Sequence, residues 1–581
     1  MGRYTFQLNS LCKTVDKLTK ISRKSIWVSA SKVSNYLLKD PVVDWLNMYY
    51  AKYGLNTSMK LRNKRNTPTK NIVKHRTNTP LFKNGYLFES SVYDALRSKY
   101  GEEFVNLRGG IEEEDFQKTL ESIESRIPII AQASIKSDKL GLRGVVDLLV
   151  RSDYINKIVK TPVLDEDDVN NSFYVVVDIK WSNMELCVDG KSVRNSGRFK
   201  AYKGQLLVYT AIMEEIQNHT FQRAYILSKS WNIDKKSRGY NCFERLGVVD
   251  FSKQDRDYVI KTAHAINWMR DLSENGGGWS PLYPHIKEMC CNACNQDEVW
   301  DSVKKEIIRE TKDITQVWMV TPEQRNTAFE KGIKKWDDSR CTTAALGITG
   351  ASTSEVITNI LKANKKSSKA NIILNKKIYW DSFGKEGDFF IDYETISEEY
   401  TELEGMNIYY NKPKGTFLFM IGVGYIVNGE FEYRNFTCDT ISDQEEKRVI
   451  ESFRDFVGKH DNPRFFHWGH VENTILAEKI NRHNINWDIK SIEWVDVYKS
   501  LVDVRFAING ALNFKLKEVA AALYKHGHIT TTWEGNGVGD GVSAMISAIN
   551  YYKKGWGDLR VIENYNMTDC KVLWEIAKIV Q

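Results

Sequence analysis

No apolar run in this chain approaches the roughly 20 residues that a membrane-spanning helix needs, so no membrane partner is expected. The first residues lack the apolar core of a secretory signal, and the cytoplasm (or the host-cell interior, for a viral chain) is the expected location. There is no internal repeat and no Walker-type Gly-rich phosphate loop, which argues against an ATP-driven motor acting on its own. Cysteine is sparse. The nine cysteines are scattered except for Cys290, Cys291 and Cys294, a usage that fits a reduced compartment rather than a disulfide-built fold. Charge of either sign is not dominant. A net charge of +7 on 581 residues permits nucleic acid as a partner without requiring it. The positive charge does crowd one stretch, at Lys60, Arg62, Lys64, Arg65, Lys70, Lys74, Arg76 and Lys83, which reads most simply as a solvated loop.

The length is too great for one core and predicts several units. In the first half, Tyr174-Val-Val-Val-Asp-Ile-Lys180 is an apolar β-branched run, the pattern of a strand buried on both faces. Alternation puts Asp178 and Lys180 on one face. A buried strand end carries such groups only if they meet each other, a cation or a solvated cleft. Arg143-Gly-Val-Val-Asp147 begins a second such strand. Residues 84–96 are predicted to form an amphipathic helix with Phe88, Val92 and Leu96 on its apolar face and Glu89 beside it. Residues 151–172 read as an acidic loop, and residues 203–213 as a helix in which Gln205 and Tyr209 share a face.

Glu89 on a helix, Gly144-Val-Val-Asp147, Asp178-Ile-Lys180 and Gln205-x-x-x-Tyr209, in that order, resemble the RecB-type branch of the PD-(D/E)XK nucleases. The resemblance implies Mg²⁺ or Mn²⁺ held by Glu89, Asp147, Asp178 and the Ile179 carbonyl. Lys180 would orient or deprotonate water or stabilise developing charge, while Gln205 and Tyr209 would position the DNA backbone and the site. Some relatives close this fold with an iron–sulfur cluster. Here Asp40-Pro41 stands where a Cys-Pro is expected, and Cys290 and Cys291 are adjacent, so ordinary thiols are expected instead of a cluster or zinc site.

Residues 300–375 read as a polar helical linker, with a basic stretch from Lys362 to Lys369. Beyond it, Gly387-Asp-Phe-Phe-Ile-Asp-Tyr-Glu-Thr395 is another apolar strand, and Asp392 and Glu394 share a face that cannot be buried without a cation. Strands over 416–424, 430–436 and 464–468 are predicted, with helices over 442–457 and from Val471. Tyr565 and Asp569 lie one helical turn apart near the end. Asp392-x-Glu394 on the first strand and Tyr565-x-x-x-Asp569 on the last helix are similar to an RNase H-like 3′–5′ exonuclease of the DEDD type. That resemblance implies metal ligands Asp392, Glu394, Asp569 and, where an Asp is usual, Glu472, with Tyr565 placing water. Asp496 is the reserve candidate for the odd position, and the helix from Leu516 supports the site. His467 and His470 read as local caps or packing residues.

The expected architecture is therefore an α/β chain: a restriction-endonuclease-like PD-(D/E)XK core over 1–299, a helical region over 300–375, and an RNase H-like domain over 376–581. The resemblance implies a Mg²⁺- or Mn²⁺-dependent nuclease with two sites, acting on single-stranded DNA or DNA ends. Exonuclease action is expected, with endonuclease action as the alternative. Replication, recombination or repair would be the setting, a helicase or replication protein a partner, and a virus or phage the source. The alternatives are a nucleic-acid-binding or scaffold protein with one inactive nuclease domain, or an RNA-directed nuclease.

Overall fold

The computed structural model describes residues 10–19, 26–50, 80–234, 236–297, 299–365, 372–380, 383–397, 415–533 and 539–581. The basic residues from Lys60 to Arg76, and Lys369, fall outside them. The chain divides into two compact units, one up to Thr311 and one from Lys312 onward. No helix among the described residues is long and apolar enough to cross a membrane.

The first unit is built on a mixed sheet of β1 (Val28–Ser29), β2 (Phe104–Asn106), β3 (Ile129–Ser137), β4 (Leu142–Arg151), β5 (Tyr174–Glu185), β6 (Arg223–Asn232), β7 (Arg238–Gly239) and β8 (Gly247–Asp250). The order is β2-β3-β4-β5-β6-β7, with β1 beside β4 and β8 beside β6. The apolar run in β5 has its cause in two covered faces. Val175, Val177 and Ile179 pack with Phe88, Val92 and Leu96 of helix α1 (Pro80–Tyr100), while Val176 packs with Leu206, Val208 and Ile212 of helix α2 (Phe199–Gln217). β4 and β5 are antiparallel, and their paired register runs from Arg151↔Tyr174 only to Leu148↔Val177. The pairing thus ends one residue short of Asp147 and Asp178, where the two strands part.

One expectation changes here. The acidic excursion over 151–172 contains helices Ser152–Ile158 and Glu166–Val169 rather than a plain loop. Asp40, at the Cys-Pro position, is fully buried and ties distant segments together. It accepts hydrogen bonds from the Asn292 N–H and the Asn295 amide, both at 3.0 Å, and pairs with the buried Lys304.

The second unit holds β9 (Asp388–Ile396), β10 (Phe417–Val427), β11 (Glu430–Thr437), β12 (Arg464–His467) and β13 (Glu493–Asp496), ordered β11-β10-β9-β12-β13. β9 is central, antiparallel to β10 and parallel to β12. Its alternation sorts the two faces. Phe389 and Ile391 pack with Val449, Ile450 and Phe453 of helix α3 (Asp443–Val457), and Phe390 packs in the core of helix α7 (Leu559–Val580) with Val572 and Ile576. Asp392 and Glu394 continue the Phe390 series along the strand. Between these elements lie helices α4 (Val471–His483), α5 (Leu516–Lys525) and α6 (Gly541–Lys554).

The region expected to link the units is shared between them. Helix Asp301–Thr311 closes the first unit. Helices Pro322–Glu330 and Ala351–Lys365 belong to the second, where Val356, Ile357, Ile360 and Leu361 share a core with Leu501, Phe506 and Val572.

Candidate metal centres

In the first unit, the parting of β4 and β5 leaves room for side chains instead of a backbone ladder. Asp147 fills the break by accepting the Ile179 N–H on Oδ2 at 2.7 Å. Asp178 is fully buried, and the Lys180 ammonium lies 2.7 Å from its Oδ2 and 3.9 Å from Oδ2 of Asp147. The close contact is an ion pair without hydrogen-bond geometry, so both Asp178 oxygens remain without a hydrogen-bond donor. Burial, only partly offset by Lys180, pushes the Asp178 carboxyl up to about 8. Burial opposes the charge of Lys180 too, but Asp178 and Asp147 outweigh it and hold the ammonium protonated. A lysine held charged cannot accept a proton; it can donate to water or stabilise negative charge.

Glu89 reaches the same region from α1. Its Oε1 accepts from the Tyr93 hydroxyl at 2.6 Å and from the Gln132 amide. Burial, then the Asp147 charge, raises its carboxyl above the usual range. Gln132 sits between the Ala131↔Leu148 and Ala133↔Val146 pairs with φ 53°, a left-handed conformation rare for a non-glycine residue. It also donates to the Tyr93 hydroxyl at 3.0 Å. Tyr209 is buried, and its hydroxyl donates to the Val145 carbonyl at 2.7 Å while accepting from the Gln205 amide at 3.1 Å. It therefore clamps β4 two residues before Asp147 and has no free hydroxyl to offer a backbone phosphate. A Cβ on Gly144 would stand 2.5 Å from the Tyr209 ring, which explains the glycine in Gly144-Val-Val-Asp147.

The second unit concentrates its carboxylates more tightly. Ligand oxygens of Asp392, Glu394 and Asp569 lie within 4.8 Å of one another, and no other such group of three occurs among the described residues. Glu89, Asp147 and Asp178 are thus brought to one region without converging to that degree. A bulge between Leu418 and Met420 of β10 faces Glu394 and Thr395, the kind of irregularity that re-aims a side chain beside a site. Burial and then the Asp569 charge push Glu394 up to about 8, and burial raises Asp569 to about 7. Asp392 is raised well above the carboxylate range by burial, then by Asp569, Glu394 and Glu472. Such a group fits hard oxygen-binding dications, because three carboxylates this close, with Glu394 and Asp569 buried and Asp392 half-buried, need a cation to be charged together. Glu472, in the first turn of α4, is buried beside the group, and its Oε2 has no hydrogen-bond partner.

Tyr565 stands one turn before Asp569 on α7. Burial, then the charges of Asp569, Asp392 and Glu394, keeps its phenol protonated. Three contributors escaped the sequence reading. The Asn566 amide donates to Asp392 Oδ2 at 2.7 Å, and its own Oδ1 accepts from the Tyr433 hydroxyl at 3.0 Å. The Trp533 indole donates to Asp569 Oδ1 at 3.0 Å. The Lys517 ammonium lies 4.5 Å from the Tyr565 ring centroid and its charge favours ionised Asp569 and Glu394. Gly422 was the available signal for Asn566. It pairs with Asp392 across β9–β10, and a glycine inside a strand marks a close approach.

Asp496 is not a metal ligand candidate in this geometry. Its Oδ1 accepts the Lys499 N–H at 3.0 Å as the N-cap of helix Val497–Asp503, and the Gly469 N–H at 3.0 Å. A carboxylate before a helix reads equally as a cap or a ligand, and here the cap prevails. Asp496→Ala is expected to cost about 1 kcal/mol of stability and to leave Mg²⁺ affinity within about twofold, as thermal melts and calorimetric titration would show.

The family described as the RNase H superfamily (RNase_H_2) matches residues 400–581. No curated protein matches the chain. The matched span contains Glu472, Tyr565 and Asp569 and starts just beyond β9, whose Asp392 and Glu394 complete the carboxylate group. In its second unit, the chain carries an RNase H-like domain, the fold of metal-dependent nucleases.

Proposed function

We propose that the protein is a divalent-cation-dependent nuclease that hydrolyses phosphodiester bonds in DNA, with a 3′–5′ exonuclease centre in its second unit and a RecB-type PD-(D/E)XK centre in its first. The observation that carries this reading is the convergence of Asp392, Glu394 and Asp569 on one buried point beside Glu472. Cations bound there, Mg²⁺ or Mn²⁺, supply acidification of an attacking water and neutralisation of charge on the scissile phosphate.

The chain's own groups do the rest. Tyr565 keeps its phenolic proton and can hold water at the carboxylate edge. Asn566 fixes the Asp392 carboxylate, and Trp533 fixes that of Asp569. In the first centre Glu89, Asp147, Asp178 and the Ile179 carbonyl are the ligand candidates. Lys180, held charged, donates to water or stabilises the developing oxyanion. Gln205 acts through Tyr209, which holds β4 in place. Single-stranded DNA or DNA ends are the proposed substrate, with replication, recombination or repair as the setting.

A second reading, a nucleic-acid-binding protein with one working centre, is favoured by the position of Lys180, paired with Asp178 and near Asp147 where a cation would otherwise compensate them. The Asp178→Ala and Asp392→Ala variants, assayed separately on DNA with Mg²⁺ or Mn²⁺, test the assignment. Each should lose the products of its own centre. Cleavage unchanged in both would sink the site assignment, and loss in Asp392→Ala alone would leave one working centre.

A further inference from the structure

A second cluster of unsatisfied groups adjoins the Asp392–Glu394–Asp569 group, and of its members the DEDD-type reading uses Glu472 but neither His467 nor Tyr393. β12 ends at His467, the chain turns through Gly469 at φ 89°, and α4 begins at Val471, so His467 and Glu472 face each other across a strand–turn–helix corner. His467 is 4% exposed and Glu472 8%. Nδ1 of His467 lies 3.7 Å from Oε2 of Glu472, too far for a hydrogen bond. Neither atom has another hydrogen-bond partner, and the buried hydroxyl of Tyr393 nearby has none either.

The corner is rigidly built around this gap. Trp494 stands edge-on to the imidazole with ring centroids 5.4 Å apart. Asp496, paired with His467 across β12–β13, takes the Gly469 N–H and holds the turn. Buried donors and acceptors left unsatisfied cost about 1–3 kcal/mol each. A fixed geometry that leaves a carboxylate oxygen and an imidazole nitrogen facing one another without bonding therefore calls for a third body between them. Two ligand atoms each about 2.1 Å from one shared ion stand at most roughly 4 Å apart, so the separation is that of two ligands.

We propose that His467 Nδ1 and Glu472 form a second cation position beside the carboxylate group, and that it favours a first-row transition-metal dication, Mn²⁺ before Mg²⁺. The chemistry of the donor set decides the preference. Mg²⁺ demands oxygen ligands and near-ideal octahedral geometry, whereas transition-metal dications accept imidazole nitrogen. Asp392, whose carboxyl feels the Glu472 charge, links this position to the group already described. The inference rests on the nuclease reading of that group and adds to it which cation the site selects.

Pulsed electron paramagnetic resonance of full-length protein loaded with Mn²⁺ tests it. None of the ligand candidates of the first unit is a histidine, so nitrogen modulation from a directly bound imidazole reports on the second unit alone. The wild type should show that modulation, and His467→Gln should lose it. Mn²⁺ affinity should fall about tenfold or more in the variant, with Mg²⁺ affinity within about threefold. Glu472→Gln should weaken Mn²⁺ in the same way, and circular dichroism checks that both variants fold. Wild-type protein that binds Mn²⁺ without nitrogen modulation would overturn the inference and leave the nuclease reading standing. So would modulation that persists in His467→Gln. Protein that binds neither cation would overturn both.

Discussion

Replacing Asp392 by asparagine is expected to abolish cleavage at the second centre, by about 10³-fold or more, while stabilising the protein stripped of metal. Asparagine keeps the shape of the carboxyl and can still accept the Asn566 hydrogen bond, now 2.7 Å long. It removes one of three carboxyls, two buried and Asp392 half-buried, whose oxygens lie within 4.8 Å of one another and which oppose one another's ionisation. The sign of the pH effect follows from the raised carboxyls. Glu394 stands at about 8 and Asp569 at about 7 in the fold, against 4.5 and 3.8 as their ordinary values. Across that window the folded chain holds more protons than the unfolded one, so its metal-free stability falls as pH rises from about 4 to about 8. Below the window the effect is absent. Asp392→Asn should flatten this fall and gain about 1–3 kcal/mol at pH 8 in EDTA. Added Mn²⁺ should recover most of the lost stability in the wild type and much less in the variant. Thermal melts at pH 5 and pH 8, with and without cation, measure all of these. A variant less stable than the wild type at pH 8 in EDTA would show that the carboxylates are not in electrostatic conflict.

Gly422→Ala should be nearly as damaging without touching a charged group. An added Cβ would stand 1.4 Å from Asn566 Oδ1, a distance that no rotamer adjustment of a fully buried side chain absorbs. Asn566 must leave its place, giving up its bonds to Asp392 and Tyr433. Overpacking and the orphaned partners together should cost about 3 kcal/mol, with an expected rate loss at the second centre of about 100-fold. The double variant Gly422→Ala/Asn566→Ala separates the two effects. Removing the clashing side chain should restore much of the stability but not the activity, a coupling that urea denaturation of the four proteins would read directly. Equal stability of Gly422→Ala and wild type would contradict the packing described for β10 against α7.

What the sequence made legible was period and charge. β5 could be read because apolar residues on both faces leave Asp178 and Lys180 as anomalies, and β9 because Asp392 and Glu394 break an otherwise apolar alternation. Tyr565 and Asp569 were legible through the helical spacing of α7. Residues that act through distant contacts were not. Gln132 meets Glu89 only because β3 adopts a left-handed φ at that point, and nothing local announces it. Trp533 reaches Asp569 from a loop, and Lys517 comes to Tyr565 from another helix. Tyr209 was read as positioning both the DNA backbone and the site, and burial turns its hydroxyl inward to β4, on the side of the site. The region after Lys312 looked like a polar linker because Val356, Ile357, Ile360 and Leu361 are few among many polar neighbours; helical spacing gathers them onto one face that enters the second core.

The most direct test is cleavage of end-labelled single-stranded DNA by the wild type, Asp178→Ala, Asp392→Asn and the double variant, each with Mg²⁺, Mn²⁺ or EDTA. Two cation-dependent carboxylate centres require shortening of the labelled strand by the wild type with either cation, none in EDTA, partial loss in each single variant and complete loss in the double. Cleavage by the double variant at the wild-type rate, or DNA left intact by the wild type with both cations, would contradict it.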